Sequence, residues 1–413
     1  MMNKNATPIP DKKLSDREMF YHKVHEEYYG GFSIISVKVR VAGPLDIQLI
    51  KQACRFIWEY SPVLRARIQP GTDGPCFVYD VPIRDIPVHS VFELGKTGIL
   101  QFLEKEADTP FNSSRNLWRV LLITDKTEFD RHYLILSIHR SIGEVNFALQ
   151  CAQDILRIAS KILAGHPDDV PNGTIPGKGE GLDDAPHLSA SEPQTGAFED
   201  VIEFSVYASI SRRHTHIRNY TVDPDRFKVL SSKCLEGKIS LPGILGAVAL
   251  TAMIKNFSVD SIGIEASCFA KGVLSSPGSF AFHVGGGDIS SDIWETARTC
   301  DRKMTDISGN GDYARVYARP ISGINGIKHF PARCVIEIVS SLAAREPFSI
   351  DNIAVVHGNR CATEAVYLSA AIIGETLSLT YACAYPLMDD GRSERFVRDF
   401  AHLLDRAIKK TRN

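Results

Sequence analysis

The chain lacks any apolar run of the roughly 18 residues that a membrane-spanning helix needs. Its first residues, MMNKNATPIPDKKLSDREMF, also lack the apolar segment of a signal peptide. Both absences lead to the expectation of a cytoplasmic protein with no membrane partner. A basic surplus is missing too. A formal net charge of -2 and a pI near 6.7 leave no electrostatic footprint for nucleic acid. None of the nine cysteines forms a CxxC pair. Cys54, Cys76, Cys151, Cys234, Cys268, Cys300, Cys334, Cys361 and Cys383 are scattered, mostly in apolar runs. They read as reduced thiols, with no disulfide framework and no metal site. No Gly-x-Ser-x-Gly elbow or His-Glu-x-x-His motif occurs.

What is present suits a two-domain globular chain: 413 residues, 44% apolar and 23% charged. In the first half, FSIISVKVRVAG (32–43) alternates as a strand does, and residues 45–60 carry apolar side chains at helical spacing up to Ser61-Pro62. LRARIQP and PCFVYDV predict short strands around the turn 71–74. A helix is expected at 96–108, strands at NLWRVLLIT and RHYLILSIH, and a helix over 142–163.

Residues 166–199 are rich in Pro, Gly, Asp and Ser without apolar period, and predict a linker or crossover loop. This divides the chain into an N-terminal lobe (1–165), the linker (166–199) and a C-terminal lobe (200–413). The second half predicts strands near 203–222, helices at 223–236 and 242–257, the strand SIGIEASCFA and the helix DIWETARTCDRKM. A short apolar helix follows near 334–345, then strands NIAVV, EAVYLSAAII and TLSLTYACAY, and a last amphipathic helix, RSERFVRDFAHLLDRAIKK.

The stretch most charged with chemistry is LILSIHRSIGEV (134–145), where a buried strand ends on His139, Arg140 and, four residues on, Glu144. Strand alternation turns His139 and Arg140 to opposite faces. Arg140 has a pKa above 12 and cannot be a base. It can donate to a carbonyl or an enolate, or pair with Glu144. Glu144 is a base only if burial raises its pKa, and pairing with Arg140 lowers it instead. His139 is the one imidazole here, either a substitute base or a satisfied core histidine. A plain structural ion pair is the competing view of the motif. Elsewhere, His22 and His25 fall on an N-terminal helix and are expected near the surface. His214 and His216 share a strand face and suit a solvated basic strand better than a metal. Gly285-Gly286-Gly287 reads as a turn, and His283 and His357 are outlying candidates.

The chain resembles the condensation-domain superfamily of CoA-dependent acyltransferases. The resemblance rests on SPVLRARI (61–68), on SIHRSIGEV (137–145) where that family has His-His-x-x-x-Asp-Gly, on PGSFAFHV followed by DIWETAR, and on SIDNIA (349–354) for a Ser-Asn-x-Gly strand. It implies an α/β fold of two chloramphenicol-acetyltransferase-like lobes, a V-shaped pseudo-dimer with a tunnel between them. The thioester donor enters from one side and the acceptor from the other. The family's working imidazole is the second His, which faces the tunnel. Aligned on Ile142-Gly143, the first His is His139, the second is Arg140, the Asp is Glu144 and the Gly is Val145. In the other motif, Asp351 stands for Ser and Ala354 for Gly, while Asn352 stays.

The resemblance therefore puts Arg140, Glu144 and His139 at the catalytic position and Ser141, Asn352, His283 and His22 among the substrate contacts, with no metal. Three functions follow. One is a repurposed enzyme of natural-product biosynthesis that cyclises or otherwise joins bonds in a small-molecule intermediate, with no resident cofactor. The second is acyl transfer from CoA or a carrier protein's phosphopantetheine thioester to an alcohol or amine. The third is a non-catalytic recruitment module, as some condensation-like domains with a His-Arg motif inside synthetases are. A carrier protein or synthetase is an expected partner of the first two.

Overall fold

The computed structural model describes residues 9–93, 95–166, 200–268, 278–308, 329–340, 342 and 346–409. In chain order, β1 (Lys12–Lys13) leads to α1 (Asp16–Glu27), β2 (Ile34–Ala42), α2 (Ile47–Tyr60), β3 (Arg67–Gly71), β4 (Gly74–Val78), β5 (Val88–Glu93), α3 (Gly95–Asp108), β6 (Trp118–Asp125), β7 (Arg131–His139) and α4 (Val145–Leu163). The second half runs β8 (Val201–Glu203), β9 (His214–Val222), α5 (Pro224–Gly237), α6 (Leu241–Phe257), β10 (Ser261–Cys268), β11 (Gly278–Gly285), α7 (Ile293–Ser308), β12 (His329–Pro331), β13 (Arg333–Ser340), β14 (Ser349–His357), β15 (Val366–Ile373), β16 (Thr376–Tyr385) and α8 (Asp390–Lys409).

Two mixed sheets organise these elements. The first has the order β14-β2-β7-β6-β5 and the second β11-β10-β13-β15-β16-β9. Helices α2 and α4 pack together on one face of the first sheet, which buries Ile35, Val37 and Val39 of β2 against Ala53, Ile57, Leu149 and Ile155. Helix α6 is the core helix of the second half, buried on nearly every side. It is apolar all round for that reason. Among the described residues no single helix is long and apolar enough to cross a membrane.

Two expectations need correction. Residues 333–340 form β13, a strand, where the apolar spacing near 334–345 suggested a helix. β13 lies between β10 and β15, parallel to both. Such a central strand is covered on both faces and reads as an unbroken apolar run, which periodicity does not separate from a short buried helix. The division at residue 200 also fails for β14, which pairs antiparallel with β2 and so belongs to the N-terminal sheet. Its SIDNIAVVH, buried from Ile353 onward, covers the edge that β2 would otherwise expose. Of the expected linker, residues 167–199 lie outside the described residues.

Polar contacts lock the sheets together. The backbone N–H of Val355 donates to Ser369 Oγ at 3.3 Å, and Asn352 Nδ2 donates to Ser378 Oγ at 2.9 Å. On the outer side, α3 closes the free edge of β9: Glu104 accepts from the Ile217 N–H at 2.7 Å and Asp108 from the Thr215 N–H at 2.6 Å. Side-chain carboxylates thus pair alternate N–H groups that an edge strand would leave open.

Candidate active site

The chain leaves β7 at His139 and turns sharply into α4. The Arg140 N–H donates to the Ser33 carbonyl at 2.8 Å, and the Ile142 N–H closes back on the His139 carbonyl at 3.0 Å. Gly143 permits the turn to pass close to the first turn of α4, since a Cβ there would lie 2.3 Å from the Phe147 ring. Glu144 is the N-cap residue of α4, but its carboxylate makes no cap bond. It turns instead to two guanidinium groups.

Oε2 of Glu144 accepts from Arg140 Nε at 3.1 Å and from Nη2 at 2.8 Å. Oε1 pairs with Arg17. Tyr21 lies beneath, its ring centroid 4.4 Å from the Arg140 guanidinium carbon and 5.9 Å from that of Arg17. A cation over an aromatic face is attracted by the ring quadrupole. Burial holds the Tyr21 hydroxyl up at about 12, so it stays neutral. Burial acts to raise the Glu144 carboxyl, but Arg140 and Arg17 outweigh it and leave the group below its ordinary range. Two cations facing one carboxylate leave a positive charge beyond local balance. Arg140 Nη1 makes no hydrogen bond among the described residues.

His139 lies on the other side of the strand. The Ser141 N–H donates to Nδ1 at 3.0 Å, with Ser141 Oγ 2.7 Å away. An imidazole nitrogen that accepts carries no proton, so the ring proton is on Nε2. That atom is buried without a hydrogen-bond partner. Burial, then the neighbouring His25 and His22, hold His139 well below its ordinary pKa. His139 is therefore neutral, with its one lone pair already engaged.

Helix α1 builds much of this arrangement. Ser15 and Glu18 form a capping box at its start. Arg17, Tyr21 and His25 follow at intervals of four, one face of the helix. They meet Glu144, Arg140 and His139 in turn, the two imidazole centroids lying 4.5 Å apart. His25, expected near the surface, is buried: the Phe111 N–H donates to Nε2 at 3.0 Å and Nδ1 lies 2.8 Å from Ser33 Oγ. Neither Arg17 nor Tyr21 stood out in the sequence. Their spacing with His25 was the available signal.

The other candidates scatter. Asn352 ties the sheets together, with its Oδ1 buried and unpaired. Asp351 pairs with Arg131 and, at 3.6 Å, with Arg40. His22 Nδ1 is 3.9 Å from Glu26 and lies on α1 away from the arginine face. His283 sits on β11 opposite Gly263, and its side chain lies outside the described residues. His214 packs on Tyr385, while His216 lies between Glu104 and Asp390. Among the described residues no group of His, Cys, Asp and Glu could hold a metal ion. The eight described cysteines are free, all buried but Cys76.

Across from Arg140 is a second polar cluster. His357, the last residue of β14, stacks on the Tyr367 ring at 4.7 Å, and its Nε2 is 3.5 Å from Glu337 Oε1. The Tyr367 hydroxyl donates to the other Glu337 oxygen. Arg140 feels the charge of Glu337, and Glu144 that of His357.

No family's sequence profile matches this chain, and no curated protein matches it by sequence. Solved structures do. Polyketide synthase associated protein 5 from Mycobacterium tuberculosis superposes with a TM-score of 0.66 at 12% identity, over 97% of this chain and 99% of that one. The first condensation domain of the calcium-dependent antibiotic synthetase, in complex with a substrate analogue, gives 0.69 at 13% identity over 98% of each chain. The X-domain from teicoplanin biosynthesis gives 0.59 at 14%, over 98% of this chain and 97% of that one. At such identities the likeness reaches the fold and stops there: this chain has the condensation-domain fold.

Proposed function

We propose that the chain is a condensation-fold enzyme of natural-product biosynthesis that carries out a cyclisation, cycloaddition or related bond-forming step on a small-molecule intermediate held between its two halves. The observation that carries this reading is the arginine where the resembling family has its working imidazole. Arg140 is anchored through Nε and Nη2, and among the described residues Nη1 makes no hydrogen bond. A donor fixed in this way can meet a carbonyl or enolate oxygen and stabilise charge as it develops there. The positive charge left by Arg17, Arg140 and Glu144 favours the same event. Nothing in the motif can act as a strong base: Glu144 is held ionised and weak, and His139 has its lone pair engaged.

Holding an intermediate in a reactive conformer contributes several kcal/mol to such a step without a base. The similar proteins come from polyketide, antibiotic and teicoplanin systems, which supports an intermediate of that chemistry, delivered free or on a carrier protein's thioester arm. Acyl transfer from CoA or a carrier protein is the second reading, favoured by the fold itself. Incubation with a panel of acyl-CoA donors and alcohol or amine acceptors separates the two, with thiol release as the readout. Expected is no thioester consumption above background. Consumption that His139→Ala abolishes would restore acyl transfer and overturn the proposal.

A further inference from the structure

Two imidazoles meet under helix α1, and the hydrogen bonds around them hold both neutral. On His139 the Ser141 N–H donates to Nδ1, while Nε2 is buried without a partner among the described residues. On His25 the neighbouring Ser33 hydroxyl gives its own proton to the Gly30 carbonyl at 2.6 Å, so Ser33 Oγ accepts from Nδ1. Nε2 of His25 then accepts from the Phe111 N–H at 3.0 Å. Each ring thus carries one proton and has its one lone pair occupied. Both are buried, with centroids 4.5 Å apart.

A second proton fits neither ring well. On His139 it would sit against the Ser141 N–H. On His25 the Phe111 carbonyl, 3.0 Å from Nε2, offers it an acceptor, but the new charge would face His139, His22 and Arg119. Arg119, on β6, is paired with Glu106 of α3 at 2.5 Å. Glu26 of α1 also faces the rings, and it accepts from Ser113 Oγ at 2.6 Å. Burial is the largest cause that holds both imidazoles below their ordinary range. Helix α1 is also lightly held. It buries Glu18, Tyr21, Val24 and His25, of which only Tyr21 and Val24 are apolar, whereas α4 buries eleven residues. The strand before it, β1, pairs through two residues. Tyr29, Gly30 and Gly31 follow it with φ of 54°, 87° and 52°, a glycine-rich turn suited to a hinge. Elements with so little buried apolar surface open before the core does.

We infer that α1 is an acid-released clamp: protonation of His25 and His139 detaches it from the end of β7 while the two sheets stay folded, and Arg17 and Tyr21 leave Glu144 and Arg140 with it. The sign follows from linkage. Released, the rings meet water and regain the ordinary value of 6.5, so they take up protons that the docked state refuses. Docking is complete above about pH 6.5. Below it, each ring disfavours docking by about 10-fold per pH unit, and the two together by up to about 100-fold. The ion triad on Glu144 is therefore assembled at neutral pH and taken apart in mild acid. The inference does not depend on which reaction the site performs.

Hydrogen exchange of the full chain, read by mass spectrometry from about pH 7.5 to about pH 5 and corrected for the intrinsic pH dependence of amide exchange, tests this. Protection of residues 16–27 should fall by about 10- to 100-fold per pH unit below about 6.5, while α4 and α6 stay protected. That window lies above the range of Glu144, whose carboxyl titrates below 4.5. His25→Gln and His139→Asn each offer an amide oxygen to the backbone N–H and remove one titration. Each should take about 10-fold per pH unit off the slope, and the double variant should be flat. Protection of α1 that is constant with pH in wild type overturns the inference. So does the loss of α1, α4 and α6 together, which is global unfolding.

A slope that survives in the double variant assigns the release to other groups and overturns the role of the histidines. Should the variants not fold, the imidazole C–H resonances of wild type serve. Those of His25 and His139 should shift to their protonated positions over the same pH range in which α1 loses protection. Rings that stay neutral while α1 opens would overturn the inference equally.

Discussion

Replacing Glu144 by Gln probes the ion triad directly. The carboxylate takes two hydrogen bonds from Arg140 and an ion pair from Arg17. Side-chain exposure is 12% for Arg140, 23% for Glu144 and 28% for Arg17, so the triad is largely shielded from water. Breaking a buried pair by removing one partner costs about 3–5 kcal/mol, because the remaining charge is stranded. Partial exposure brings the expectation down to about 2–4 kcal/mol, still well above the 0–1 of a surface pair. Urea denaturation followed by tryptophan fluorescence provides the assay. Arg140→Met/Glu144→Gln, which removes both partners, should recover more than half of the loss.

The sign with pH is fixed. Glu144 has a folded pKa below the ordinary 4.5. Its contribution is therefore fully present above about 4.5 and fades as pH falls through the folded value. Wild type and Glu144→Gln should converge in that acid range. A change under about 0.5 kcal/mol at pH 7 would refute the claim that the triad is a buried unit.

Two further outcomes follow from the same physics. His139 is buried neutral, so in acid the unfolded chain takes up a proton that the folded chain refuses. Stability should fall below about pH 6.5, and His139→Asn should flatten that fall by up to about 1.4 kcal/mol per pH unit. Unchanged acid sensitivity in denaturation curves would contradict it. Lys38 is buried in β2 with its pKa lowered to about 8 from 10.5, chiefly by burial. The folded state thus disfavours the charged amine, a penalty present below pH 8 and relieved between 8 and 10.5. Lys38→Met should stabilise the protein by about 1–3 kcal/mol at pH 7, with the gain shrinking as pH rises from 8 to 10.5. A destabilised variant would show that Lys38 has a favourable partner.

Much of the fold was legible because its signals are local. Alternation marked β2, short apolar runs marked β7 and β16, and helical spacing marked α2, α4 and α8. β13 misled because a strand covered on both faces loses its alternation. The placement of β14 in the N-terminal sheet is a tertiary choice, set by the unpaired edge of β2, and no local pattern records it. The site divides in the same way. The candidate pair Arg140 and Glu144 could be named from a spacing of four. Arg17 meets Glu144 across 127 residues, and this contact depends on how α1 docks. His25 looked like a surface residue on a polar helix until that docking buried it. Glu337 lies in the very segment whose secondary structure was misread, so its meeting with His357 could not have been anticipated.

The central claim is that Arg140 stabilises negative charge on a substrate oxygen. The most direct measurement compares the affinity of wild type and Arg140→Gln for two near-isosteric ligands by calorimetry: dimedone, an enolate at neutral pH, and its neutral O-methyl ether. Wild type should prefer the enolate by about 10-fold or more, equivalent to about 1.4 kcal/mol, and Arg140→Gln should lose that preference. Equal affinity for both ligands, or a preference untouched by the substitution, would contradict it.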